Sequence, residues 1–245
     1  VPSLSTVPVA ANNQVGPVAF LLRAAGDFAA SPGQFYLLRA WDRDPLLSRP
    51  MSVFDREDGQ LTFLIFVRGP GTQRLAQLRP GDPLTLFGPL GKPLPRREGR
   101  IALVGGGSGI APLRLAAKEF RAAGEVDVFL GFRDQPFLVS AFQEVASRVS
   151  VASELVAAGT ANGLVTDIFD PHGYDACYAC GPDGMLKAVG EACRSGGVPL
   201  WVLREERMAC GVGACRGCAV RTVAGFRMAC RDGPAFLAEE VIWNG

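Results

Sequence analysis

Two patterns of apolar and polar positions divide the chain. Up to about residue 88, short runs rich in Val, Leu, Phe and Thr are separated by Gly and Pro, and residues 18–22, 35–39, 51–55, 61–67 and 84–87 are predicted strands. Asp58-Gly59 is predicted as a hairpin turn. Only residues 72–78 in this region carry a helical spacing. Closely spaced strands with turn residues between them predict a small antiparallel barrel. After Gly99 the pattern changes. Residues 101–104, 126–132 and 176–180 are continuous apolar runs, as expected of strands buried on both faces. Residues 112–123 and 183–193 have helical periodicity. Strands alternating with helices predict βαβ units and a parallel sheet. The polar stretch Arg96-Arg-Glu-Gly-Arg100, after Pro95, marks the boundary between the two patterns. A last apolar run, 200–203, leads into a tail rich in Cys and Gly. The expected fold class is β plus α/β: an antiparallel barrel over residues 1–98, a parallel α/β domain over 99–199, and a small C-terminal segment over 200–245. That segment is too short to fold alone and needs a staple.

The tail supplies one. Cys210, Cys215, Cys218 and Cys230 have four, two and eleven residues between them. Three thiolates on one glycine-rich loop, joined by a fourth from a nearby turn, form the ligand set of a plant-type [2Fe–2S] cluster. Gly211, Gly213, Ala214 and Gly217 let the backbone curl so that amide N–H groups point at sulfur and offset negative charge. Zinc is the competing reading, but zinc usually brings two separated Cys-x2–4-Cys pairs. A disulfide pair is the other.

Composition narrows the remaining classes. The 245 residues are 48% hydrophobic and 20% charged with a formal net charge of +1, which describes a globular chain with no basic run for nucleic acid or an anionic membrane. No apolar stretch approaches the ~18 residues of a spanning helix, and residues 1–15 lack the layout of a secretory signal. Seven cysteines, an odd number concentrated late in the chain, favour metal chemistry in a reducing compartment, so the cytoplasm is the expected location.

The loop Gly105-Gly106-Gly107-Ser108-Gly109-Ile110-Ala111-Pro112 follows one predicted strand and opens a helix. That order presents free amides and a positive helix end to an anion, normally a pyrophosphate. A tight glycine turn that merely packs helix on strand is the alternative. Cys180-Gly181-Pro182 also lies between a strand and a helix, at the same carboxyl edge of the sheet, where ligands bind. Cys180 has three readings: core packing, metal ligation, or a place beside a nicotinamide ring. Cys177 and Cys180 have Cys-x2-Cys spacing, but on one strand positions i and i+3 face opposite ways, so Cys177 is expected in the core, as is Cys193. In the barrel, Arg49-Pro50-Met51-Ser52 offers a diphosphate clamp and a hydroxyl for a flavin ring. The stretch from Phe66 through Gly71-Thr72 offers a glycine loop and helix cap for the other side of the same phosphates. His172 and the charged Glu205-Glu206-Arg207 are read as solvated.

A nicotinamide exchanges two electrons together, whereas a [2Fe–2S] cluster passes one at a time. A flavin converts between them. If both assignments hold, a flavin site is required and the barrel is the module left to carry it.

Arg49-Pro-Met-Ser52, Gly71-Thr72, Gly88-Pro-Leu-Gly91, the 105–112 loop and Cys180-Gly-Pro182 come in the order of the ferredoxin–NADP reductase-like flavoprotein family, which the chain resembles over most of residues 15–203. Residues 206–218 and 230–236 closely resemble the electron-transfer subunits of NAD-dependent (class 1B) dihydroorotate dehydrogenases. The resemblance implies FAD in the barrel, with Arg49 at its phosphates, Ser52 at the isoalloxazine edge, and Pro50, Met51, Leu64, Ile65, Phe66, Gly71 and Thr72 completing the site. It implies NAD(H) on the α/β domain at Gly105, Gly106, Gly107, Gly109, Ile110, Ala111, Pro112, Cys180, Gly181 and Pro182, and a [2Fe–2S] cluster on Cys210, Cys215, Cys218 and Cys230. No catalytic side chain is implied beyond the cofactors, with Ser52 and Cys180 near the reacting rings. Met51 stands where many members have an aromatic residue, and residues 132–134 lie near where NADP is distinguished from NAD. The implied partner is an FMN-containing catalytic subunit that oxidises dihydroorotate for pyrimidine biosynthesis, in a heterotetramer of two copies of each chain. Competing readings are the reductase component of an oxygenase, a γ-type subunit of a hydrogenase or transhydrogenase complex, and a nucleotide-binding redox sensor without turnover.

Overall fold

A computed structural model describes residues 1–57 and 59–243. The first third of the chain, to Leu90, closes on itself as a six-stranded antiparallel barrel. Its strands are β1 (Ser3–Gly16), β2 (Ala19–Ala25), β3 (Phe35–Arg39), β4 (Arg49–Glu57), β5 (Gln60–Phe66) and β6 (Pro83–Leu90), in the order β1-β2-β5-β4-β3-β6. Asp58 of the predicted hairpin turn lies outside the described residues, while Gly59 takes a φ of +68°, which the turn between β4 and β5 needs. Alternate residues point inward, so Leu22, Tyr36, Leu38, Val53, Phe63, Ile65 and Leu84 fill the barrel. Helix α1 (Pro70–Ala76) links β5 to β6 and starts two residues before the expected 72–78. The barrel begins at Ser3, well before the first predicted strand at residue 18. Only Val9 of β1 is buried, the rest being exposed or half-buried, so no apolar alternation reveals it.

The second sheet is built from β7 (Gly99–Gly106), β8 (Gly124–Phe132), β9 (Arg148–Ser153), β10 (Ala161–Asn162), β11 (Ala176–Cys180) and β12 (Leu200–Leu203), all parallel. Helices α2 (Leu113–Phe120), α3 (Val139–Gln143), α4 (Val165–Ile168) and α5 (Asp183–Gly196) connect them. The apolar runs 176–180 and 200–203 form strands at the expected bounds, buried at every position. Among the described residues no helix is long and apolar enough to cross a membrane.

In the tail, β13 (Ala219–Thr222) and β14 (Gly225–Met228) form a hairpin, and β15 (Ala235–Leu237) returns to pair antiparallel with β12. The sheet order is therefore β10-β9-β8-β7-β11-β12-β15. One apolar cluster joins Cys218, Cys230, Met228 and Phe236 of the tail to Phe35, Leu37 and Leu90 of the barrel and to Val202 and Leu200 of the sheet. The tail is held from both sides rather than standing apart.

Candidate functional site

Three groups of residues converge where the barrel, the sheet and the tail meet. The first lies on β4 and α1. Arg49, half-buried at the start of β4, stacks its guanidinium 5.6 Å from the centre of the Trp41 ring and donates to the carbonyl of Leu47. Its other neighbour is Gly71, where a Cβ would stand 2.5 Å from Arg49 Nε and 2.6 Å from Cζ. A guanidinium is thus held at the first turn of α1, where amides are free and glycine leaves room. Thr72 orders that turn: its hydroxyl accepts from the amides of Arg68 (2.9 Å) and Gly69 (3.2 Å) and donates to the Gly69 carbonyl (3.0 Å). Pro50, Met51 and Ser52 continue β4, half-buried, opposite Leu37, Tyr36 and Phe35 of β3. On β5 the three proposed contacts diverge. Ile65 points into the barrel and is fully buried, so only its backbone faces outward, whereas Leu64 and Phe66 lie on the side toward the second sheet. Phe66 packs against Phe137 at 5.8 Å between centroids.

The second group is the glycine loop with its neighbour. Gly105 and Gly106 end β7, residues Gly107–Ile110 form a single 3-10 turn, and Pro112 caps α2. The loop therefore inserts a tighter turn before the helix, where a direct helix start was expected. A Cβ on Gly109 would collide with the carbonyl oxygen of Cys180 and lie 2.6 Å from the amide nitrogen of Gly181. One on Gly106 would lie 2.6 Å from Met185 Sδ and 3.1 Å from Pro182. The 105–112 and 180–182 segments are thus in backbone contact, which only glycine permits. Gly107, at φ +56°, and Gly69 face open space instead. Between these two open glycines Arg68 Nη2 reaches Ser108 Oγ at 3.3 Å, spanning from barrel to sheet. The Cys180 thiol is buried, and burial, helped by the Glu205 carboxylate, pushes it well above its ordinary range, so it is neutral. Cys177 and Cys180 go to different apolar clusters, on opposite faces of β11, and Cys177 packs with Cys193.

The third group is the cysteine loop. Every sulfur accepts from a backbone amide. Cys210 accepts from Val212 (3.5 Å) and Cys215 (3.4 Å), Cys215 from Gly217 (3.5 Å), Cys218 from Cys230 (3.5 Å) and Cys230 from Gly213 (3.1 Å). Positive φ at Gly211 (72°), Gly213 (83°) and Arg216 (58°) turns those amides inward. Burial would raise the Cys210 thiol, but the Cys215 and Val212 amides outweigh it and hold it at about 6. Burial, then the Cys218 thiol, pushes Cys230 up to about 12. Cys218 and Cys230 are buried with their sulfurs 3.2 Å apart, while Cys210 is half-buried and Cys215 exposed. Among the described residues no three His, Cys, Asp or Glu side chains converge in the way a single metal ion requires. The sulfurs fall instead into two pairs, 210 with 215 and 218 with 230, which suits two irons sharing four thiolates. The loop seats on the barrel: a Cβ on Gly211 would stand 2.7 Å from Leu90 and 3.0 Å from Leu37. Beside it Lys92 N donates to the Gly233 carbonyl (2.7 Å), and Gly91 has no room for a side chain against Pro234. Gly88-Pro-Leu-Gly91 is thus the end of β6, where the barrel meets the tail.

Sequence reasoning names most of these residues but not Trp41, whose stacking on Arg49 has no motif, nor the reach of Arg68 to Ser108, which joins segments 40 residues apart. His172 is exposed and bonds Asp170 in its own turn.

Residues 205–242 match the iron-sulfur cluster binding domain of dihydroorotate dehydrogenase B. The electron transfer subunit of dihydroorotate dehydrogenase B (NAD(+)) from Clostridium acetobutylicum is 40% identical over 227 residues, 92% of either chain. The chain belongs to the family of dihydroorotate dehydrogenase B electron transfer subunits. A second member, from Caldanaerobacter subterraneus subsp. tengcongensis, is 42% identical over 86% of this chain and 87% of its own. Among solved structures, one of an NADH-dependent reduced ferredoxin-NADP oxidoreductase, described for flavin-based electron bifurcation, superposes with a TM-score of 0.88 at 30% identity. It covers 98% of this chain and 90% of that one.

Proposed function

We propose that this chain transfers electrons between a dihydroorotate-oxidising catalytic subunit and NAD(H), with FAD held on the barrel and a [2Fe–2S] cluster held by Cys210, Cys215, Cys218 and Cys230. The observation that carries it is the seat of the cysteine loop. Gly211 packs on Leu37 of β3 and Leu90 of β6, and Phe35 of β3 pairs with Ser52 of β4 on one side and Leu90 on the other. The cysteine loop is thus seated on β3, the strand that pairs directly with the Ser52 strand.

In this reading Arg49 and the first turn of α1 bind the FAD diphosphate, and Ser52 presents its hydroxyl to the ring. Pro50, Met51, Leu64, Phe66 and the backbone of Ile65 shape the ring's pocket. The open amides of the Gly105–Pro112 loop bind the pyrophosphate of NAD(H), and Cys180, Gly181 and Pro182 bound the nicotinamide. Neutral Cys180 places an uncharged, water-excluding surface beside the ring, so no anion competes for its charge. When bound, FAD accepts two electrons together and releases them singly, which is what joins nicotinamide chemistry to an iron–sulfur cluster. Exposed Cys215 turns one edge of the cluster site toward a partner. That partner is read as an FMN-containing subunit, in a heterotetramer with two copies of each chain in the cytoplasm. The 1–98, 99–199 and 200–245 modules divide the task as FAD, nicotinamide and cluster carriers.

A role in an NADH- and ferredoxin-linked transhydrogenase is the second reading, favoured by the likeness to the bifurcating oxidoreductase. The greater identity to the dehydrogenase subunits ranks it second. Anaerobic purification of the chain alone, with iron, sulfide and FAD counted, tests the proposal. The chain should oxidise NADH with an artificial acceptor and show no dihydroorotate oxidation until the catalytic subunit is added. Substantial dihydroorotate turnover by the isolated chain would overturn it.

A further inference from the structure

A buried ion pair ties the strand of the first group to the helix of the second. Asp55 lies on β4, three residues beyond Ser52, and Arg114 is the second residue of α2, two beyond Pro112. Both are buried, at 6% and 7% exposure. The Arg114 guanidinium bonds the Asp55 carboxylate, donates to the Ala141 carbonyl (3.1 Å) and to Glu144 (3.3 Å), and lies 5.5 Å over the Phe54 ring. One helical turn on, Lys118 Nζ donates to the other Asp55 oxygen (3.2 Å), to the Arg56 carbonyl (3.2 Å) and to Glu57 (2.5 Å).

Removing two charges from water costs several kcal/mol per ion, and well-packed apolar residues would join the same surfaces at least as firmly. Stability is therefore a poor reason for the pair to exist. Direction is a better one. The surrounding contact, with Leu21, Phe54 and Leu64 against Phe120 and Phe142, is apolar and does not by itself fix the rotation of one body on the other. A planar guanidinium held at once by the Asp55 carboxylate, the Ala141 carbonyl and Glu144, with Lys118 on the other Asp55 oxygen, does. The levers are short, about 10 Å of strand from Asp55 back to Ser52 and about 3 Å of helix from Arg114 back to Pro112.

We infer that the Asp55–Arg114 pair, buttressed by Lys118, is a positioning element for hydride transfer: it sets the glycine loop against the Ser52 strand, and so sets the distance from nicotinamide to flavin. This rests on the assignment of those two sites in the proposed function. The hydride that NADH gives up in becoming NAD+ is the one that reduces the flavin, so a displacement of the loop acts on that step. A misplacement of about 1 Å can cost on the order of 10²-fold in rate.

The test compares the FAD-loaded wild type with Arg114→Lys and with the double apolar variant Asp55→Leu/Arg114→Met. FAD per chain, melting temperature and backbone hydrogen exchange are measured first, then flavin reduction by NADH in a stopped-flow spectrometer. The double variant should hold FAD and melt near the wild type, yet show faster exchange in β4 and α2. Its long-wavelength flavin–nicotinamide absorbance should weaken, and flavin reduction should slow by about tenfold or more with NAD+ affinity unchanged. Arg114→Lys should recover part of the rate. Flavin reduction within about twofold of wild type in the folded double variant would overturn the inference. If that variant does not fold, Lys118→Met removes only the buttress and must slow reduction several-fold, and an unchanged rate there is equally fatal. A wild-type chain that takes up no FAD would instead sink the cofactor assignment, which separates the two failures.

Discussion

The guanidinium of Arg49 lies against the Cα of Gly71, close enough that a Cβ there would stand 2.5 Å from its Nε. The atom in the way is the far end of a flexible side chain, so Gly71→Ala should fold, with alanine adding helix propensity worth up to about 1 kcal/mol. Arg49 must then swing away from the first turn of α1. FAD affinity should fall by about tenfold, the equivalent of losing one charge-assisted bond. Flavin fluorescence titration of Gly71→Ala beside Arg49→Ala measures it. If alanine at 71 leaves affinity untouched while Arg49→Ala abolishes it, the two do not act as one site.

Gly109→Ala is the opposite case, because its Cβ would meet backbone, the Cys180 carbonyl and the Gly181 amide. Backbone cannot rotate aside, so the two loops must part. Overpacking of this kind costs about 1–3 kcal/mol, and the parted loops should raise the KM for NADH more than they lower FAD content. Equal losses of both would show that the loop serves stability alone.

How much of this was legible in the sequence depends on whether a signal was local. Residues 176–180 and 200–203 form strands at the read bounds because burial on both faces leaves an unbroken apolar run. The cysteine spacing is equally local. β1 has no readable pattern because only Val9 among its residues is buried, the rest being exposed or half-buried. β15, three residues long, has too little pattern to read and forms by pairing with β12. Ile65 was grouped with Leu64 and Phe66 as a site residue, although its period-two alternation already places its side chain inside the barrel. Asp55 and Arg114 carry no signal in the sequence, since nothing local marks a carboxylate and a guanidinium that bury each other across 59 residues.

The seven cysteines should separate cleanly by substitution. Cys215→Ser, on the exposed edge of the loop, should strip iron, sulfide and most visible absorbance while leaving the barrel and its FAD intact. Cys177→Ala, on the far face of β11 from Cys180, should keep full iron at a stability cost of about 1 kcal/mol. Iron retained in Cys215→Ser, or lost in Cys177→Ala, would require a different ligand set.

The interdomain strut also fixes a pH window. The hydrogen bond from Lys118 holds the Glu57 carboxyl below its ordinary 4.5. Burial would lower Lys118, but its hydrogen bonds to Glu57 and Asp55 outweigh this and raise it above 10.5. A lowered carboxyl contributes stability that is complete above its unfolded value and lost as pH falls through the folded one. A raised ammonium contributes stability that is complete below its unfolded value and lost as pH climbs through the folded one. The strut is therefore whole between about 4.5 and 10.5 and fails outside that range at either end. Both groups are partly exposed, so the effect is small and screened by salt. Thermal melts of wild type and Glu57→Gln from pH 3 to 7 provide the check: the wild type should lose more melting temperature on acidification, with the two curves parallel above about pH 5. Parallel curves all the way down would mean that Glu57 is not titrating against Lys118.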